Sequence, residues 1–159
     1  CAELTDDSWP RVGRLADVLA SYPVLRFTMR GGVGPTDVRA LEEAAVLADL
    51  NADKGVLTSI QNLPSRRERN DVRDYLTARV AGKPAALSPE RQPALEKWVT
   101  EHPASDTDLT ALAKARVEKL QTLLTKDYGV AADKVSAGEP DVNRTDGKSA
   151  VAVTLAAGK

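Results

Sequence analysis

The chain has 159 residues and a net charge of −1 from 22 basic and 23 acidic side chains, long enough for a buried core and too evenly charged for an electrostatic nucleic-acid binder. At 42% hydrophobic and 28% charged residues it is too apolar for disorder throughout, yet no apolar run approaches the roughly 20 residues of a membrane helix. Cys1 is the sole cysteine, so no internal disulfide can form; a lipidated amino terminus, an arbitrary starting point and a cloning remnant all fit it. No charged-then-apolar leader precedes Cys1, and a signal peptide is expected to be absent or removed.

In chain order, TDDSWPRVGRLADVLASYP predicts a first helix. Ser8 is its cap, Pro10 sits in the first turn, and Val12, Leu15, Val18 and Leu19 form the apolar stripe. After Pro23, VLRFTMRGG alternates, with Leu25, Phe27 and Met29 on one face and Arg26, Thr28 and Arg30 on the other. That predicts a half-buried strand over 24–30, ended by Gly31 and Gly32. A second helix is predicted over 37–49, with Thr36 as N-cap, Asp37 at the positive end of its dipole, and Val38, Leu41, Ala45 and Ala48 on one face.

The middle of the chain has weaker periodicity. Ser65 and Glu68 have capping-box spacing ahead of a stripe of Val72, Tyr75, Leu76 and Val80, and a further short helix turns Leu95, Trp98 and Val99 inward. Five prolines from Pro64 to Pro103 keep these helices short. Ser105 and Asp108 repeat the capping spacing before LTALAKARVEKLQTLL, predicted helical over 107–127, with Leu109, Leu112, Ala113, Leu120, Leu123 and Leu124 on a broad face and Gly129 as the stop. DKVSAG then reads as a short strand, PDVNRTDGK as a turn-rich loop and SAVAVTLAAG as a closing strand, placing strands at 133–137 and 150–156. The whole is an α+β (split α/β) layout, in which the strand before and the strand after the helices are expected to pair in parallel. Three strands are few for a sheet that must cover these helices.

The two ends, about residues 2–50 and 105–157, resemble an OmpA-like domain. The residues that carry the likeness are CAELTDDSW at a helix start, VLASYPVLRFTMRGG running into a glycine-led loop, LAKARVEKLQTLL against the pattern L-S-x-x-R-A-x-x-V-x-x-x-L, and YGVAADKVSAG against G-V-x-x-x-K-[IV]. The family passes quickly from its second strand to the arginine helix, whereas residues 51–104 here form a helical insertion. In that respect the chain is similar to the C-terminal region of large AsmA-like bacterial envelope proteins. The resemblance implies a single OmpA-like domain over 1–159 with a βαβαββ layout lacking its first strand, which an upstream segment would supply.

The resemblance also implies a site. In peptidoglycan-binding members an aspartate in the loop after the second strand and the arginine of the patterned helix clamp a diaminopimelate group, which offers a carboxylate to arginine and an ammonium to aspartate. Arg116 stands at the arginine position. The aspartate position, in a loop that reads G-x-T-D, falls at Gly34, and GKSAV replaces the usual arginine pair before the last strand. Half the clamp is thus expected to be missing, with weak sacculus binding as the consequence. Arg116 lies along the stripe of Leu109, Leu112 and Leu120, so its head needs water or a partner, and Asp37 is the expected partner in a structural pair.

Other candidates read more simply. His102 lacks the companions of a triad or zinc site and is expected in an exposed loop. SRRERNDVRD is expected as a solvated face, its arginines offset by Glu68, Asp71 and Asp74. Glu42 and Glu43 are adjacent and diverge on a helix, Asn143-Arg144-Thr145 fits a glycosylation sequon, and Gly31–Gly34 lacks the lysine and serine of a phosphate loop. No metal, cofactor or catalytic group is expected. The expectation is a non-enzymatic interaction or anchoring module in the bacterial periplasm, partnered by envelope proteins and tied to outer-membrane biogenesis, or alternatively a peptidoglycan anchor using Arg116 and Asp37.

Overall fold

The computed structural model describes residues 9–52 and 65–157, so the Ser8 cap and the segment 53–64 of the insertion lie outside the described residues. The architecture is α+β, with five α-helices and a four-stranded mixed sheet among those residues. The chain falls into two compact units, Cys1–Asp37 with Asp106–Lys159, and Val38–Ser105.

The first unit carries the sheet. Helix α1 (Trp9–Ser21) buries Val12, Ala16 and Leu19 at helical spacing, and Leu15 and Val18 pack at the rim. Strand β1 (Leu25–Val33) is the hub of the sheet. It pairs in parallel with β2 (Val135–Ala137) and β3 (Asp141–Val142), and antiparallel with β4 (Val151–Ala157). The parallel pairing of β1 with β2 is the one expected from a crossover through helices. Phe27 and Met29 point from β1 into a core completed by Val117, Leu120, Leu123 and Leu124. Those four come from helix α5 (Asp106–Thr122) and the π-helical turn Leu123–Asp127 that continues it. Gly129 has a φ of +66°, and the Val130 amide closes back onto the Leu124 carbonyl, so the predicted glycine stop ends the π-helical turn in a left-handed residue.

Several boundaries differ from the sequence reading: the strand expected over 133–137 begins only at Val135, after a 3-10 turn at Ala132–Lys134. β1 does not end at Gly31: it runs on to Val33, and β3 pairs with Gly32 and Val33 inside what reads as a loop. The reason is the closeness of α5. A Cβ on Gly31 would collide with the Ala113 carbonyl, so glycine here lets strand and helix touch and does not break the strand.

The second unit is helical. It takes most of α2 (Pro35–Ala52), then α3 (Arg66–Val80) and α4 (Gln92–Glu101), around a core of Val46, Leu50, Val72, Leu76, Leu95 and Val99. The expected capping box opens α3: the Glu68 amide donates to Ser65 Oγ at 3.2 Å and the Ser65 amide to Glu68 Oε2 at 2.9 Å. Leu95 and Val99 are buried and Trp98 packs partly against them, whereas Val80, placed on the α3 stripe, is 56% exposed.

In α2 the expected face is corrected. Ala45 and Ala48 are exposed, and the buried positions after Asp37 are Glu43, Val46 and Leu50. An apolar-stripe search passes over Glu43 because it is charged. It is buried because Arg39 Nε and Arg79 Nε stand 2.9 and 3.1 Å from its two carboxylate oxygens. Thr36 is not the cap either: it lies inside the helix, after Pro35 in the first turn.

Candidate functional site

The candidate site is the Arg116–Asp37 pair, and both residues belong to the sheet-bearing unit. Two features of the sequence bring them together. The glycines at the end of β1 let α5 pack against the strand, which brings Arg116 beside the strand's last carbonyls. Pro35 then starts α2 at once, so Asp37 falls in its first turn with its carboxylate turned back onto the Gly34 amide at 3.2 Å.

Arg116 grips Asp37 with both terminal nitrogens: Nη1 donates to Oδ2 at 2.8 Å and Nη2 to Oδ1 at 2.6 Å. Nη1 also donates to the Gly32 carbonyl at 2.6 Å. The side chains are only 11% and 9% exposed, so this is a desolvated, bidentate ion pair and not a surface one. It has the geometry expected for Arg116: a covered stem, with its head bonded to the 31–37 segment and Asp37 as partner.

Burial alone would raise the Asp37 pKa. The hydrogen bonds from Arg116, Ser149 and the Gly34 amide, with the charge of Arg116, outweigh it and lower the value from 3.8 to about 2. A carboxylate whose folded pKa is depressed contributes stability that is full above the unfolded value and is lost as pH falls through the folded one. Between pH 4 and pH 2 the protein is therefore expected to lose on the order of 2 kcal/mol through this group alone. Urea midpoints across that range should show the gap between wild type and Asp37→Asn closing as the pH falls. A gap that stays constant would contradict the assignment.

The resemblance places the acidic position at Gly34. A Cβ on Gly34 would collide with the Gly147 carbonyl, so no aspartate fits there. Gly34-Pro35-Thr36-Asp37 itself reads G-x-T-D, and its aspartate is the one that meets Arg116. Sequence reasoning also passed over Ser149 and the Gly32 carbonyl as partners of the pair. Nothing in the spacing of the GKSAV segment shows that its serine reaches Asp37.

The remaining candidates serve the fold. His102 closes α4, its Nδ1 2.7 Å from the Trp98 carbonyl and its Nε2 3.3 Å from Asp49. The carboxylates of the SRRERNDVRD run do not simply offset its own arginines: Glu68 and Asp71 both bind Arg91, from outside the run, at 3.1 Å. Asn143 spends its side-chain oxygen on the Thr145 and Asp146 amides, forming a local turn. Arg39 holds both oxygens of Glu96 at 2.7 Å, and those bonds push the arginine pKa up and the Glu96 pKa down. No cluster of three or more His, Cys, Asp or Glu residues with metal-holding geometry occurs among the described residues, and no described helix is long and apolar enough to cross a membrane.

Comparison of the chain with protein-family models, with curated proteins and with solved structures gives no match.

Proposed function

We propose that the chain is an OmpA-like, non-enzymatic interaction and anchoring module of a bacterial envelope protein, working in the periplasm, of the kind found at the end of AsmA-like proteins. The observation that carries this reading is the meeting of Asp37 with Arg116, since the loop after β1 and the patterned helix are the two places from which the OmpA-like arrangement draws its carboxylate and its guanidinium. Here the pair closes on itself and ties the end of β1 and the first turn of α2 to α5. Fractionation of cells producing the parent protein tests the location. Recovery with the periplasm and envelope is expected, and a strictly cytosolic chain would end this reading.

A second reading, peptidoglycan anchoring, is favoured by the acid being present at Asp37 beside Arg116. A diaminopimelate group would have to compete for an arginine and an aspartate that already satisfy each other, so its affinity is expected to be low. Co-sedimentation with purified sacculi should leave most of the protein in solution. Tight sedimentation abolished by Arg116→Ala would establish the anchor.

A further inference from the structure

The sequence holds four asparagines, and only Asn143 opens an Asn-x-Ser/Thr tripeptide, Asn143-Arg144-Thr145. The fold puts that tripeptide in the turn between β3 and β4 of the sheet-bearing unit, with all three residues exposed. Backbone bonds build the turn. The Asn143 amide donates to the Val33 carbonyl at 3.1 Å, and the Gly147 amide donates to the Asn143 carbonyl at 3.2 Å. The main chain is thus held to β1 and closed on itself without using the asparagine's side-chain nitrogen.

The side chains are arranged differently from one another. Asn143 Oδ1 accepts from the Thr145 amide at 3.1 Å and from the Asp146 amide at 3.2 Å. Its Nδ2 has no partner among the described residues, and neither has the Thr145 hydroxyl. Arg144, between them, is drawn aside to Asp106 Oδ1 at 2.6 Å. We propose that Asn143 is an acceptor site for an N-linked oligosaccharide, delivered from a lipid pyrophosphate by a transferase that reads the Thr145 hydroxyl. A turn that served the fold alone would need only the bonds to Oδ1. The free, exposed nitrogen and hydroxyl on one tripeptide are what a transferase requires in addition.

A carboxamide nitrogen is a poor nucleophile because its lone pair is delocalised onto the oxygen. It becomes a better one as its proton leaves, and negative charge then gathers on Oδ1. Two backbone N–H groups already aimed at that oxygen stabilise the charge, as donors do in an oxyanion hole. In the transfer, Nδ2 bonds to the anomeric carbon of the sugar while the bond from that carbon to the pyrophosphate oxygen breaks. The lipid pyrophosphate leaves with the electron pair, and the displaced Nδ2 proton goes to a base on the transferase. The site uses neither Arg116 nor Asp37. In the cell the reaction rests on the periplasmic location proposed above; with purified components it does not, so the two fail separately.

The test is to incubate the folded chain with a purified oligosaccharyltransferase and its lipid-linked oligosaccharide, and to follow intact mass. Addition of a single glycan is expected, at least about threefold faster than to the free peptide EPDVNRTDG (residues 139–147), in which the fold does not hold the turn. Asn143→Gln removes the acceptor. Thr145→Val removes the hydroxyl and keeps the amide that bonds Oδ1, so the melting temperature should not move. Each variant should lower the yield of glycan at least about twentyfold. A folded chain left without glycan overturns the proposal, as does a glycan that persists in either variant. A folded chain modified more slowly than the peptide overturns it too, since the turn would then hide the acceptor.

Discussion

Arg116→Ala is expected to destabilise the sheet-bearing unit by about 3–5 kcal/mol, far more than the loss of a surface ion pair, because it strands a buried carboxylate. Asp37 would keep the Gly34 amide and Ser149 but lose both bonds from the guanidinium, and the Gly32 carbonyl would lose its own. The charged form that the arginine had stabilised would then sit desolvated. Replacing both partners, as Asp37→Leu with Arg116→Met, should recover most of the loss, since matched apolar groups leave nothing unpaired. Urea unfolding followed by Trp9 fluorescence in a Trp98→Phe background reports on the unit that holds the pair. A loss for Arg116→Ala of less than about 1 kcal/mol would mean that water solvates the pair as it does a surface bridge.

Gly31→Ala should cost at least about 3 kcal/mol, beyond the usual range for an added methyl group in a core. The new Cβ meets the backbone of Ala113, and a helix carbonyl cannot rotate aside as a side chain can. β1 and α5 would have to part, and with them the close approach that sets Arg116 against Gly32 and Asp37. Gly13→Ala is the matched control: it lies inside α1, where an added methyl finds only the Tyr128 ring at 3.8 Å. Relief of glycine's entropic cost there should stabilise the protein by about 0.5–1 kcal/mol. The two changes are chemically identical, and thermal melts that moved in the same direction would refute the packing account.

Much of this was legible in the sequence wherever the signal was local. The alternation of Leu25, Phe27 and Met29, the Ser65–Glu68 box, the Gly129 stop and the stripe of α5 each follow from a few neighbouring residues, because backbone propensity and side-chain periodicity act over one or two turns. Even the partner of Arg116 could be reasoned out, since an arginine on an apolar stripe must find an acceptor and Asp37 was the acid nearest the loop expected beside it.

What only the tertiary structure decided is what depends on residues distant in sequence coming close. Gly31 and Gly32 read as a strand end, because the usual sign of glycine is a turn; only the approach of Ala113 and of the 148–150 segment makes them part of a strand. Glu43 reads as solvated until Arg79, on another helix, is seen to neutralise it. Gly34 reads as the place of a missing acid, and only the approach of Gly147 shows that no side chain fits there, while Asp37 is the acid that meets Arg116. Sequence patterns are set by what each residue does to its own backbone. Close contacts and buried charges are set by what arrives from elsewhere in the chain, and that is where reading and structure parted.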